Sequence, residues 1–152
     1  MSRERKRYHP PASSARVRER MEAQPRRDTK CETAVRSAVH GLGLRYRVHQ
    51  RPEADLRREA DLVFRHEKVV VFVDGCFWHG CPEHHHTPTT HYDWWDTKVD
   101  KNRARDEQTD RVLRQRGWVV VRVWEHEEPG KAARRVQHAV LRRRRRQAAA
   151  KR

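Results

Sequence analysis

A run of β-branched residues that stops in a cluster of cysteines, aromatics and histidines occupies residues 69–86, VVVFVDGCFWHGCPEHHH. Residues 69–73 are all apolar, which is typical of a buried strand, and Asp74 and Gly75 end it. Two cysteines, two large aromatics and four histidines then follow within eleven residues. An ordinary turn does not need so many metal ligands and bulky rings, so this segment predicts a functional site at the end of the strand.

Length and charge restrict the class of protein. At 152 residues the chain is long enough for one domain with a core, plus terminal tails. Its formal net charge of +15 predicts a polyanionic partner, most simply nucleic acid, although a solvated basic surface is the plainer interpretation. The sequence contains no apolar run of membrane-spanning length and no hydrophobic segment near its start. We therefore expect no signal peptide, no membrane span and a cytoplasmic location.

The first half of the chain predicts a helix followed by three strands. Residues 1–26 are basic and contain three prolines, so we expect a flexible N-terminal arm that orders on a polyanion. A capping box at Thr29 and Glu32 starts a helix that closes near Gly41 or Gly43. The alternation in residues 44–48 and the apolar runs at 60–64 and 69–73 then predict three strands.

The second half predicts a helix, a strand and a last helix. Residues 92–116 are compatible with a helix, residues 118–124 form an apolar strand, and a last helix starts near Lys131. The arginine run at 142–146 is expected to be a solvated, frayed tail. Three strands in series suggest a meander, and the helix before the fourth strand permits a parallel crossover. The predicted fold is an α/β sandwich with a mixed sheet, over residues 27–141 between the arm (1–26) and the tail (142–152).

The cysteines point to a metal site. The odd set of Cys31, Cys76 and Cys81 argues against a disulfide framework, and we expect Cys31 to be a free thiol on a helix. Structural zinc takes four thiolate and imidazole ligands, and Cys76 and Cys81 are followed closely by three histidines. One ligand comes from His84, His85 or His86, and His126 after the fourth strand is the candidate for the last position. The alternative is two buried cysteines beside a solvated histidine tract.

Acidic residues and one histidine suggest phosphodiester chemistry. Asp61 lies in an apolar strand and needs a partner there, and Glu32 could add a second carboxylate for Mg²⁺. The alternatives are a surface position for Asp61 and a purely capping role for Glu32. His79 follows the strand end and can transfer a proton, unless it is itself the zinc ligand. Phe77 and Trp78 either pack against the zinc site or wedge between DNA bases.

These residues together resemble the very-short-patch repair (Vsr) family of DNA mismatch endonucleases over about residues 13–127. The most specific part is the segment Gly-Cys-Phe-Trp-His at residues 75–79. The remaining matches are Met21, residues 26–32, 43–47, 60–64 and 80–84, Trp95, Lys98, Asn102, Arg105, Asp106, Gly117, Trp118 and residues 123–125.

The resemblance implies a restriction-endonuclease-like fold and a Mg²⁺-dependent enzyme. Such an enzyme recognises a T:G mismatch left by deamination of 5-methylcytosine and nicks the strand 5′ to the thymine. Asp61 would bind Mg²⁺, Glu32 would act through the hydration shell of the metal, and His79 would be the general acid/base, supported by Asp106. The resemblance further implies a structural zinc held by Cys76, Cys81, His84 and His126, and a DNA wedge of Met21, Phe77 and Trp78.

The partners expected from the resemblance are double-stranded DNA and, functionally, a cytosine-5 DNA methyltransferase. We expect a monomer that is associated with the nucleoid. In the best-known family member a second active-site histidine stands where this chain has Asp74. The chain also departs from the family pattern at Ala60, where a proline is usual, and at residues 57–59, which replace the usual Gly-Arg stretch. Two other functions fit the residues: a DNA nicking endonuclease without mismatch preference, and a zinc-bearing DNA-binding module without catalysis.

Overall fold

The computed structural model describes residues 10–23, 27–85 and 87–152. Its helices and strands, in chain order, are α1 (Ala15–Glu22), α2 (Lys30–Gly41), β1 (Arg47–Gln50), β2 (Ala60–Phe64), β3 (Val69–Asp74), α3 (Tyr92–Gln115), β4 (Val119–Trp124) and α4 (Pro129–Ala150). The four strands form one mixed sheet in the order β1-β2-β3-β4, with helices flanking it. The mixed α/β fold predicted from the sequence is therefore confirmed.

The pairing of the strands explains where the site lies. β1, β2 and β3 form an antiparallel meander, and β4 pairs with β3 in parallel, with Asp74 opposite Trp124 at the last step of the register. The helix α3 makes the crossover between these parallel strands, as the sequence predicted. The carboxyl ends of β3 and β4 therefore meet at one edge of the sheet, and the residues that follow both strands lie close together.

Each face of the sheet packs against helices. One core cluster joins Phe64, Val71 and Val123 of the sheet to α2 and α4 through side chains such as Val39 and Val136. A smaller cluster lies on the opposite face and includes Val63, Val70, Phe72, Leu113 and Trp118. Burial of large aliphatic side chains on both faces removes the period-two alternation from β2 and β3, which is why these strands appear as nearly continuous apolar runs.

Two details at the start of the domain differ from the prediction. The strand β1 spans Arg47–Gln50, so the predicted strand at 44–48 was placed too early. Leu44 and Tyr46 pack into the core, but only Arg47 onward pairs with β2. At the predicted capping box, the Thr29 hydroxyl accepts a hydrogen bond from the Glu32 amide at 3.3 Å. The reciprocal bond from the Glu32 carboxylate is not formed, because this group turns into a cleft instead.

The two ends of the chain contain more helix than the sequence suggested. Ser14 caps the short helix α1, which lies within the predicted arm, whereas residues 1–9 and 24–26 lie outside the described residues. Helix α4 continues through the predicted boundary at 141 and includes the arginine run. Its end is held by an ion pair from Arg144 to Glu67 and by a hydrogen bond from Gln147 to the His66 carbonyl. Among the described helices, none combines the length and apolar character needed to cross a membrane.

Candidate active site and metal centre

An open cleft of 690 Å³ lies at the carboxyl end of β3. It is bounded by α1 and α2 on one side, by β2 and β3 at its base, and by α3. All the predicted catalytic and wedge residues line it: Met21, Glu32, Asp61, Phe77, Trp78, His79 and Asp106. Residues that are distant in the sequence thus share one opening at the sheet edge.

Asp61 and Glu32 present two carboxylates to the base of this cleft. Oδ2 of Asp61 accepts a hydrogen bond from the Val73 amide at 2.7 Å. The pKa of Asp61 is raised to about 6, chiefly by burial and also by the nearby charges of Glu32 and Asp74, against the lowering effect of the Val73 hydrogen bond. Oε2 of Glu32 is buried and has no hydrogen-bond partner among the described residues. Two desolvated carboxylates with unused oxygens are a suitable setting for a hard cation.

His79 lies between two acidic side chains. Its Nδ1 is 2.5 Å from Oδ2 of Asp106 and 3.7 Å from Oδ1 of Asp74. Burial disfavours the charged imidazole, but the Asp106 hydrogen bond and the Asp74 charge outweigh burial, so the pKa of His79 is raised. With Nδ1 engaged by Asp106, Nε2 is the nitrogen available for proton exchange.

Helix α3 also fixes the backbone around His79. The buried side chain of Asn102 donates a hydrogen bond to the Trp78 carbonyl at 2.8 Å, and Arg103 donates one to the Gly80 carbonyl at 2.7 Å. Three side chains of α3 therefore fix this segment: Asn102 and Arg103 hold the residues on either side of His79, and Asp106 holds the imidazole ring itself. This arrangement explains how a turn without regular structure can present a defined imidazole.

Arg122 is a site residue that the sequence analysis missed. It lies in β4 and its guanidinium meets the carboxylates of Asp74, Asp106 and Asp110, with nearest oxygen distances of 3.0, 3.7 and 2.7 Å. The signal was present in the sequence, because an arginine inside the run VVVRVW needs a partner when the strand is buried.

A second cluster, of cysteines and histidines, lies beside the cleft. Cys76 and His126 each follow the paired residues Asp74 and Trp124 by two positions, so the parallel register brings them together. Ligand atoms of Cys76, Cys81, His84 and His126 all lie within 4.8 Å of one another. The Sγ atoms of Cys76 and Cys81 are 3.2 and 3.6 Å from Nδ1 of His126.

The structure distinguishes among the histidines that the sequence offered as candidate zinc ligands. His84 joins the cysteine cluster, with Nδ1 3.9 Å from the Cys81 sulfur. His85 instead contacts the Thr87 hydroxyl and packs near the Phe77 ring, and His86 lies outside the described residues. His79 is directed at Asp106 and is not part of the cluster.

Aromatic rings continue from the cleft along one surface. Phe77 packs edge to face on Trp78 and Trp95, at centroid distances of 5.1 and 5.5 Å, and Trp94 packs edge to face on Trp95. Met21 of α1 is 40% exposed and lines both the cleft and the adjoining aromatic pocket. These side chains pack on one another and are also partly exposed. This is compatible with packing against the zinc site and with wedging between DNA bases.

Comparison with known proteins identifies the family. The family model described as DNA mismatch endonuclease Vsr matches residues 12–87. The type II nicking enzyme V.NaeI of Lentzea aerocolonigenes is 45% identical over 123 residues, which cover 80% of this chain and 74% of that protein. The chain belongs to the Vsr family of DNA mismatch endonucleases.

Other Vsr relatives agree with this assignment. The type II nicking enzyme V.XorIIP of Xanthomonas oryzae is 41% identical over 103 residues, covering 66% of this chain and 73% of that protein. DNA mismatch endonuclease Vsr of Escherichia coli K12 is 37% identical over 110 residues, covering 69% of this chain and 66% of that protein. The chain is therefore an endonuclease, and the order α2-β1-β2-β3-α3-β4 fits the restriction-endonuclease-like fold of the Vsr family.

Proposed function

We propose that this Vsr-family endonuclease nicks DNA at T:G mismatches, cleaving the strand 5′ to the mismatched thymine with the help of Mg²⁺. The observation that carries the proposal is the single cleft shared by Asp61, Glu32, the His79–Asp106 pair and the aromatic wedge candidates. Two relatives are named nicking enzymes and one is named a DNA mismatch endonuclease, which supports both parts of the activity.

The acidic pair fits a magnesium ion. Asp61 keeps Oδ1 free of the Val73 hydrogen bond, and the buried Oε2 of Glu32 has no partner among the described residues. A divalent cation would compensate both charges, with Asp61 as the direct ligand and Glu32 acting through a water of hydration. Bound there, Mg²⁺ would offset the negative charge that develops on the scissile phosphate.

We assign the proton transfer to His79. Asp106 fixes its tautomer and orientation through Nδ1, which leaves Nε2 to accept a proton from the attacking water or to donate one to the leaving O3′. Breaking the bond between phosphorus and O3′ yields a 3′-hydroxyl and a 5′-phosphate. The raised pKa of His79 keeps the charged form accessible near neutral pH.

The cysteine–histidine cluster fits a structural zinc ion. Tetrahedral ligation with bonds of about 2.3 Å to sulfur and 2.0 Å to nitrogen places neighbouring S and N ligand atoms about 3.5 Å apart. The distances of 3.2, 3.6 and 3.9 Å among Cys76, Cys81, His84 and His126 lie around this value. Burial raises the pKa of Cys76 to about 11, and zinc would hold the thiolate that this environment otherwise disfavours.

Met21, Phe77 and Trp78 are proposed to wedge into the duplex at the mismatch. A wobble pair stacks poorly, so unstacking the step beside it requires less free energy than at a matched pair. Because Trp78 directly precedes His79, insertion of the ring and alignment of the imidazole belong to one short segment. A monomeric enzyme and a functional link to a cytosine-5 DNA methyltransferase stay predictions.

The decisive experiment compares two end-labelled duplexes that differ only in T:G or C:G at one position, with Mg²⁺ or without it. We expect one Mg²⁺-dependent nick 5′ to the thymine in the mismatched duplex alone. Asp61→Ala should abolish nicking but keep DNA binding and zinc content, because the substituted side chain lies outside the zinc cluster.

Other results would lead to other conclusions. Equal nicking of both duplexes would indicate a nicking endonuclease without mismatch preference. Wild-type protein that binds DNA but nicks neither duplex in several flanking sequences would indicate a DNA-binding module. For the wedge, Trp78→Ala should weaken discrimination between the two duplexes more than general affinity, and unchanged discrimination would refute that role.

A further inference from the structure

Arg122 is the centre of a charged network behind the catalytic histidine. Its Nη1 lies 3.0 and 3.1 Å from the two carboxylate oxygens of Asp74, and its Nη2 lies 2.7 Å from Oδ1 of Asp110. Nη2 also donates to the Asp106 carbonyl at 3.4 Å, and the guanidinium carbon stacks 4.3 Å from the centroid of the Phe72 ring. The planar guanidinium group of Arg122 is thus contacted on several sides, which fixes its orientation.

Two of these acidic residues also meet His79. Asp106 contacts Nδ1 directly at 2.5 Å, and Asp74, only 4% exposed, approaches the same nitrogen at 3.7 Å. Two carboxylates that converge on one imidazole nitrogen repel each other in a poorly hydrated site. Among the described residues, Arg122 is the permanently charged side chain that pairs with Asp74 and also reaches Asp106.

We propose that Arg122 is a positioning residue for the nuclease reaction, which holds Asp74 and Asp106 together so that both face Nδ1 of His79. The inference rests on the proposed function and adds to it a residue that acts through Asp74 and Asp106. Without the guanidinium, Asp74 is a buried charge with no fixed partner, and it would displace either Asp106 or the imidazole. The arginine is therefore needed because Asp74 is acidic, and the two residues should act as a unit.

A double-mutant cycle tests this dependence. We would measure the single-turnover nicking rate on the T:G duplex, with saturating enzyme and Mg²⁺, for wild type, Arg122→Gln, Asp74→Asn and the double variant. Arg122→Gln alone should lower the rate on the order of 10- to 100-fold, the loss expected when a catalytic group is misplaced by a fraction of a bond length or more. DNA affinity should change by about twofold or less, since Arg122 points at acidic side chains in the protein.

The key comparison is the same substitution when Asp74 is neutral. In the Asp74→Asn background, Arg122→Gln should lower the rate by about threefold or less, because the residue at position 74 then carries no charge that needs a partner. Equal losses in the two backgrounds would overturn the inference and leave Arg122 as an ordinary stabilising residue. An unchanged rate in Arg122→Gln would overturn it as well.

Controls separate this result from unfolding and from failure of the proposed function. Arg114→Gln removes another arginine beside Asp110, at 3.8 Å, that is exposed and lies outside the cleft, so it should keep the wild-type rate. If Arg122→Gln lacks a cooperative melting transition, the same cycle is run with Arg122→Lys. Wild-type protein that nicks neither duplex would overturn the proposed function itself, and this inference with it, whereas additive losses would overturn the inference alone.

Discussion

At the scale of single residues, the carboxylate of Asp61 is held in an environment that disfavours its own charge. Its pKa is raised from 3.8 to about 6, chiefly by burial and then by Glu32 and Asp74. The folded state therefore binds the proton more tightly than the unfolded state, and ionisation of Asp61 lowers the free energy of unfolding as the pH rises from about 4 to 6. The ionised carboxylate of Asp61 in the cleft thus lowers the stability of the fold.

We predict that Asp61→Asn stabilises the protein when Mg²⁺ is absent. At pH 7.5 the gain in the free energy of unfolding should approach about 3 kcal/mol, and at pH 5 it should be roughly half as large, because Asp61 is then mostly protonated in the folded state. Denaturant melts at the two pH values measure this, in Mg²⁺-free buffer without a chelator so that zinc is kept. A gain that is independent of pH would contradict the assigned cause.

Asp106 gives a second prediction at this scale. Asp106→Asn keeps the shape of the side chain but removes the charge that supports the His79 imidazole at 2.5 Å. The single-turnover nicking rate should fall on the order of 100-fold with little change in DNA affinity. Glu107→Gln, an equal loss of charge at the exposed neighbouring position of α3, serves as the control. Equal rates for the two variants would remove Asp106 from the catalytic group.

Much of this residue-level arrangement could be expected from the sequence. The sequence and its family resemblance predict site roles for Asp61, Glu32, His79 and Asp106, and all four residues line one cleft in the structure. An arginine inside an apolar strand indicates that Arg122 needs a partner, but the identity of its partners in β3 and α3 depends on the folded structure. The third cluster ligand was ambiguous for a similar reason, since three successive histidines differ only in the directions that the folded loop gives them.

At the scale of elements, the strands that follow hydrophobic runs were predicted well. β2, β3 and β4 begin and end within one residue of the expected positions because turn residues bound them. β1 was placed too early, since alternation continues into Leu44 and Tyr46, which pack without pairing. Helix α1 was not predicted because it is short and polar, and it has no buried residue. Tertiary contacts decide such segments, and their sequences carry little signal.

The turn after β3 gives a prediction for the elements it joins. Residues 75–91 contain no described helix or strand, and the cysteine–histidine cluster connects them to the end of β4. Cys81→Ser should therefore release zinc and lower the melting temperature by several degrees or more, as expected when a structural metal is removed. Cys31→Ser is the matched control, because Cys31 is a free thiol on α2 outside the cluster. Metal analysis and thermal melts measure both, and retention of zinc by Cys81→Ser would refute the assignment.

At the scale of the whole molecule, two groups of arginines lie at opposite ends of β3. Arg58 and Arg105 line the cleft, and Nε of Arg58 is buried without a partner among the described residues. The arginines at the end of α4 lie beside the β2–β3 turn, where Arg144 pairs with Glu67 at 2.8 Å. That turn begins β3, whereas the cleft is at its other end, so we expect a duplex bound in the cleft not to contact the arginines of α4.

The salt dependence of DNA binding should distinguish these two groups. Each phosphate that a cationic side chain neutralises contributes a slope of about −0.9 to the logarithm of the binding constant against the logarithm of salt concentration. Replacing Arg58 and Arg105 by Gln should make the slope shallower by about 0.9 for each arginine that binds a phosphate. Replacing Arg145 and Arg146, which are exposed on α4, removes the same charge but should leave the slope nearly unchanged. Equal effects of the two pairs would show that DNA also reaches α4.

The segment that follows β3 is short, and this restricts which sequence changes such an enzyme can accept there. Cys76, Phe77, Trp78, His79 and Cys81 lie within six consecutive positions, so the residues proposed for metal ligation, for the aromatic wedge and for proton transfer share one stretch of backbone. A single inserted residue would shift all three at once, and no local repair could restore them separately. We expect insertions and deletions to be excluded here, and changes in the preferred flanking bases to arise outside residues 76–81.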